Sequence, residues 1–155
     1  MNWELLKESA LEILFAFAGA LGFSLLFSLR GKRLFWAAFG GAVAWVFYLI
    51  VEILTGSMFL RGIVSAMVAT AYSEIFARIL KTPKTAFIFT AIVPMVPGGN
   101  LYYTMSNVLT GNIESAIKHA VDTLIMAVAL AFGIVVVILW VKVTKHIKTK
   151  KNIKL

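Results

Sequence analysis

The chain contains no cysteine, which excludes disulfides, thiolate metal sites and thiol catalysis. Histidine is nearly absent too: His119 and His146 stand far apart and suggest no metal cluster. Charge is scarce. Only 14% of the residues are Asp, Glu, Lys or Arg, where a soluble domain carries about 25%. Acidic residues are the rarer sign, 7 against 15 basic. Proline occurs three times, and two of the three lie close together at Pro94 and Pro97. What fills the 155 residues instead is apolar: 61% are hydrophobic and the mean hydropathy is +0.91. These values describe a polytopic membrane protein, too short to add a soluble domain, and predict a single transmembrane domain over residues 1–155.

Charged ends mark off five apolar stretches, at residues 11–29, 34–54, 60–80, 85–103 and 118–141. Each approaches the ~20 residues that cross a hydrocarbon core as a helix. The expected fold is therefore all-α with about five transmembrane helices. A loop is predicted only between the fourth and fifth, at 104–117, with turn signals at Asn107 and Gly111-Asn112. The segment before the first stretch carries Glu4, Glu8 and Glu12 against Lys7. That is the wrong charge for a signal peptide, so a retained first span with an acidic start at the membrane surface is expected.

Twelve of the fifteen basic residues fall on one side of this arrangement. They are Arg30, Lys32, Arg33, Arg78, Lys81, Lys84 and the six lysines of the 142–155 tail. Lys7, Arg61 and Lys118 fall on the other. The positive-inside rule then predicts an external amino terminus and a cytoplasmic carboxyl terminus. The net charge of +8 needs no nucleic acid to explain it. Lysine-rich tails anchor topology and attract anionic lipid, and this one has no interleaved aromatic residue for stacking bases.

Small residues recur at spacings of three and four in Gly62, Ser65, Ala66, Ala69, Ser73 and Ala77. Shorter versions are Ala37, Gly41, Ala44 and Ala16, Gly19, Gly22. Such stripes let helix backbones approach closely in membranes. Among intramembrane charges, Glu74 stands one turn before Arg78 and one turn after Thr70. It reads either as an i,i+4 ion pair with Arg78 or as a proton-coupling residue facing a cavity. His119 and Asp122 share a helix face at i,i+3 and offer a second candidate proton relay.

The fourth stretch holds the most informative motif, Ala-Ile-Val-Pro-Met-Val-Pro-Gly-Gly-Asn-Leu-Tyr-Tyr from Ala91 to Tyr103. Proline removes a backbone donor and clashes with the preceding turn, and glycine adds nothing that holds helical geometry. A broken transmembrane helix is tolerated where protein or a water-filled cavity satisfies the freed groups. Secondary transporters commonly build substrate sites there. The simpler reading is a proline kink. The predicted break runs from Pro94 to Asn100, with the first half-helix ending near Val93 and the second starting at Leu101 behind an Asn100 cap. The unpaired N–H groups at that start suit a carboxylate. The candidate substrate-binding residues are Pro94, Pro97, Gly98, Gly99, Asn100, Tyr102 and Tyr103, with Thr104 and Asn107 as further donors. No enzyme motif and no phosphate-cradling loop is present, and no cofactor is expected.

Pro94, Val96-Pro97-Gly98 and Tyr102 or Tyr103 resemble the carboxyl-terminal half of the threonine/serine exporter family. In length, spans and basic tail the whole chain is similar to that family's small, separately encoded YjjB-like subunit. The resemblance implies a bacterial inner-membrane location and a larger membrane subunit carrying the other half. It also implies a small carboxylate substrate: threonine, serine or a dicarboxylate such as succinate. Two five-span halves of opposite orientation would satisfy an inverted-repeat transporter. The alternatives are a non-transporting scaffold subunit of a membrane complex and a homo-oligomeric channel.

Overall fold

A computed structural model describes residues 3–153, with side chains from residue 7 to residue 147. The chain forms helices α1 (Trp3–Leu26), α2 (Lys32–Thr55), α3 (Met58–Ile79), α4 (Lys84–Ile92), α5 (Gly98–Leu109) and α6 (Ile113–Ile153). A 3-10 turn, Val93–Met95, follows α4, and there is no strand among the described residues. The all-α expectation holds. Four helices are long and apolar enough to cross a membrane, and α4 with α5 makes a fifth crossing segment bent by 53°.

The direction of packing decides whether that bent pair crosses or turns back. Gly62 of α3 lies against Met126 and Ala129 of α6, and Gly133 lies against Ile63 and Ala66. Further along, Glu74 and Arg78 share a pocket with Val141 and Lys145. The two helices therefore run parallel. Parallel spans require the chain to cross back between them, which only α4 and α5 can do. Lengths agree: α4 and the 3-10 turn advance about 20 Å, and α5 adds about 11 Å along that axis after its bend. The sum matches a hydrocarbon core of about 30 Å.

Packing is densest around α3, which is flanked by α2, α4 and α6. Its predicted stripe, Gly62, Ser65, Ala66, Ala69, Ser73 and Ala77, is buried throughout. A methyl group on Gly133 would stand 2.6 Å from the Ile63 carbonyl oxygen and 2.8 Å from Ala66 Cβ. Only a missing side chain permits that approach. The α2 stripe is also buried, at Ala37, Gly41 and Ala44. On α1 the expectation needs correction: the buried positions are Ala16, Ala20 and Ser24, whereas Gly19 and Gly22 are exposed with nothing within 4 Å of an added Cβ. A helix seam repeats at i,i+4, and the glycines fall off it.

Short connections follow their turn chemistry. Gly56 ends α2 at φ 62, its N–H donating to the Glu52 carbonyl, a left-handed cap that glycine adopts without penalty. Ser57 then caps α3 by accepting the Leu60 N–H at 3.4 Å. The predicted 104–117 loop is overturned. Helix α5 runs on to Leu109, and only residues 110–112, with Gly111 at φ 77, separate it from α6. The Thr104 hydroxyl and the Asn107 amide donate to carbonyls four residues back, so residues with loop-like composition stay helical. Helix α6 continues from the fifth span through the basic tail to Ile153. Lys148, Lys150, Lys151 and Lys154 lie outside the residues whose side chains are described.

Gly133→Ala should force α3 and α6 apart and lower the stability of the detergent-purified protein by about 1–3 kcal/mol. Gly22→Ala, in open space, should leave thermal unfolding unchanged or slightly improved. Equal melting of the two variants would refute the tight seam.

Candidate functional site

The break falls where the sequence places it. Helix α4 ends at Ile92, one residue before the expected Val93, and the 3-10 turn carries Pro94. The start of the second half-helix is corrected: α5 begins at Gly98 with Pro97 as its N-cap, so Asn100 sits inside the first turn and caps nothing. Proline suits this position because its fixed φ, here −76°, is already near helical and its missing N–H would be unpaired anyway. No side chain caps α5. The Gly98 N–H turns back to the Val96 carbonyl at 2.7 Å, and the first helical bond runs from the Leu101 N–H to the Pro97 carbonyl at 3.1 Å. The N–H groups of Gly99 and Asn100 lie in the unpaired first turn. An added Cβ at Gly98 or Gly99 would meet nothing within 4 Å. Packing does not demand glycine here, and its absent side chain leaves the backbone open.

A cavity of about 240 Å³ adjoins this helix start. Pro94, Pro97, Gly98, Gly99 and Asn100 line one wall, and Trp45, Tyr48, Met58, Arg61 and Met126 line the other. Sequence reasoning missed Arg61, the most consequential of these. Its guanidinium lies 4.9 Å from the Tyr48 ring centroid, and Nη1 donates to Glu52 Oε1. The Arg61 side chain is 16% exposed. Its Nε is buried and finds no acceptor among the described residues, and neither does the Trp45 indole Nε1. Trp45 stacks on Tyr48 with centroids 4.7 Å apart, so the indole and the guanidinium both pack on that ring. Two buried donors without acceptors, beside a positively polarised helix start, form an anion-receptive surface. A signal for Arg61 was available: Glu52 and Arg61 flank the Thr55-Gly56-Ser57 turn with opposite charge.

Tyr102 and Tyr103 do not line this cavity. They are 68% and 53% exposed, and Tyr103 stacks on His119 at 5.4 Å. Thr104 and Asn107 spend their donors on the carbonyls of Asn100 and Tyr103. The His119 Nδ1 is buried without a partner among the described residues, so that nitrogen passes nothing to Asp122.

Glu74 lies toward the far end of α3, near the start of α4. It is buried, and its carboxylate accepts from Lys84 Nζ at 2.6 and 2.7 Å and from Arg78 Nη2 at 2.9 Å. The Arg78 pair was foreseen; the Lys84 contact, which ties α3 to the first residue of α4, was not. This geometry is the ion-pair arrangement. Removing one member of a buried pair costs 3–5 kcal/mol, but Arg78 and Lys84 are 49% and 39% exposed and can turn to water. Glu74→Gln should therefore lower stability by about 1–2 kcal/mol and leave transport per folded molecule near the parental rate. Abolished transport at unchanged stability would instead make Glu74 a coupling residue.

Neither a curated protein nor a solved structure matches the chain. The family model described as "Threonine/Serine exporter, ThrE" matches residues 12–140, which reach into every crossing segment and include the interrupted helix, Arg61 and Glu74. The chain belongs to the threonine/serine exporter family, a family of membrane transporters.

Proposed function

We propose that this chain is the small membrane subunit of a split secondary exporter and that it receives the carboxylate of its substrate at the α4–α5 break. The observation that carries this reading is the pair of buried, unpaired donors, Arg61 Nε and Trp45 Nε1, lining the same cavity as the α5 start. A carboxylate set among these groups accepts from the guanidinium, the indole and the first-turn N–H groups at once. Charge-assisted bonds of this kind are the strong ones. The cavity volume of about 240 Å³ lies below the roughly 300–1,000 Å³ of pockets for drug-sized ligands. That size suits threonine, serine or a short dicarboxylate.

The proposed partner is a larger membrane subunit bearing the other half. Support comes from α5, which has no buried residue and exposes Leu101, Tyr102, Met105 and Leu109. The proposed setting is the bacterial inner membrane, with the amino terminus outside and the carboxyl terminus cytoplasmic. Its support is that Arg30, Lys32, Arg33, Arg78, Lys81, Lys84, Lys142 and Lys145 gather at one end of the bundle.

Transport measured with the partner present tests the site. Trp45→Phe removes one N–H and keeps the ring, so apparent substrate affinity should fall about tenfold or more, the value of one hydrogen bond to a charged group. Arg61→Gln should abolish transport. Glu52→Gln breaks the Arg61–Glu52 pair but keeps the guanidinium, and should retain substrate binding. Parental affinity in Trp45→Phe together with normal transport by Arg61→Gln would move the carboxylate elsewhere.

Orientation is checked separately. Because the chain has no cysteine, Lys7→Cys and Lys150→Cys each introduce one unique thiol. An impermeant maleimide applied to intact cells should label the first and spare the second. Labelling of both from one side would contradict an odd number of crossings.

A further inference from the structure

A groove runs between α3 and α6 on the basic half of the bundle, away from the α4–α5 break. One end is a half-open cavity of about 290 Å³ lined by Glu74, Arg78, Thr144 and Lys145. A second hollow of about 460 Å³ continues it along Met67, Val68 and Val136. Ala71, Val137 and Trp140 line both, so the two are one trough.

Two properties of the trough point to the same occupant. From Met67 to Arg78 it extends about 16 Å along the helix axis, close to the ~15 Å depth of one leaflet's hydrocarbon. Its wall is apolar over that length and turns cationic only at the end where the other basic residues gather. There Arg78, Lys145 and Lys84 surround the single carboxylate of Glu74, an excess of two positive charges. A soluble metabolite needs no 16 Å apolar runway, and a neutral lipid gains nothing from the cations. We infer that the trough holds one anionic phospholipid, an acyl chain lying along Ala71, Val137 and Trp140 and the headgroup phosphate between Arg78 and Lys145. Basic pockets between transmembrane helices favour such headgroups.

Native mass spectrometry of the full chain in detergent tests this, with phosphatidylglycerol and phosphatidylcholine of identical acyl chains supplied in equal amounts. The parent should retain one phosphatidylglycerol with roughly 25-fold preference, about fivefold for each of two cations. Arg78→Gln with Lys145→Gln should bring the two lipids near parity. Lys145→Gln alone, at an exposed position, should lose about fivefold. Lys32→Gln with Arg33→Gln removes two charges from the same end of the bundle but away from the trough, and should change nothing. Ala71→Phe, which fills the trough and keeps every charge, should reduce retention of both lipids. Any of three results would overturn the inference: no preference in the parent, equal loss in the Lys32 and Arg33 control, or full retention in Ala71→Phe. The last would leave an anion seat with no acyl chain.

Discussion

Helices in a bilayer gain little from hiding apolar surface from one another, because lipid is as apolar as leucine. They must instead gain from close contact, and contact is limited by how far side chains hold two backbones apart. In this chain that limit is relaxed along α3. Gly62, Ser65, Ala66, Ala69, Ser73 and Ala77 are all buried, and α2, α4 and α6 close on that helix. Gly133 brings α6 within reach of the Ile63 carbonyl. The interrupted segment depends on this arrangement, since a backbone that gives up its hydrogen bonds in hydrocarbon needs rigid neighbours to supply polar groups and exclude lipid. Arg61 belongs to α3 and Trp45 to α2, so the groups facing the break are held by two closely packed spans.

Polar groups in the bundle divide into two kinds with different fates. The hydroxyls of Ser65, Thr70 and Ser73 donate to carbonyls of their own helix, which lets small polar residues lie in a helix seam at no cost in unpaired donors. Glu74 is satisfied by two cations from two elements. Arg61 Nε, Trp45 Nε1, Thr90 Oγ1 and His119 Nδ1 find no partner among the described residues, and Arg61 and Trp45 line the same cavity. A membrane protein leaves buried donors without acceptors at a cost of several kcal/mol each, and the convergence of Arg61 and Trp45 at the helix break gives that cost a functional reason.

The spans and the break were legible because both are written in one dimension. Run length sets a crossing, and Pro94, Pro97, Gly98 and Gly99 interrupt one wherever it lies. Features that depend on the third dimension were less so. Gly19 and Gly22 look like a packing stripe until the rotation of α1 is known. Thr104 and Asn107 read as a loop because their polarity is visible, while the carbonyls that satisfy them are not. Asn100 was favoured as a cap by residue preference, yet Pro97 takes that position through backbone geometry. Lys84 reaches Glu74 across the 80–83 connection, and Trp45 and Arg61 line one cavity from different helices; neither arrangement leaves a periodic trace.

The bend at residues 93–97 joins two segments of very different stiffness. On one side α4 buries Ala86, Phe87, Ile88, Thr90, Ala91 and Ile92 and is pinned at Lys84 by Glu74. On the other, α5 buries no residue within the chain. Displacing α4 would strip six side chains of their neighbours, at about 25 cal/mol for each Å² of apolar surface uncovered. Displacing α5 uncovers less, chiefly its contacts with α6 such as the Tyr103–His119 stack. Force applied to this span from outside is therefore not shared evenly along it: it is spent in rotation about Pro94 and Pro97, with α4 as the fixed mount and α5, tied to the first turns of α6, as the arm.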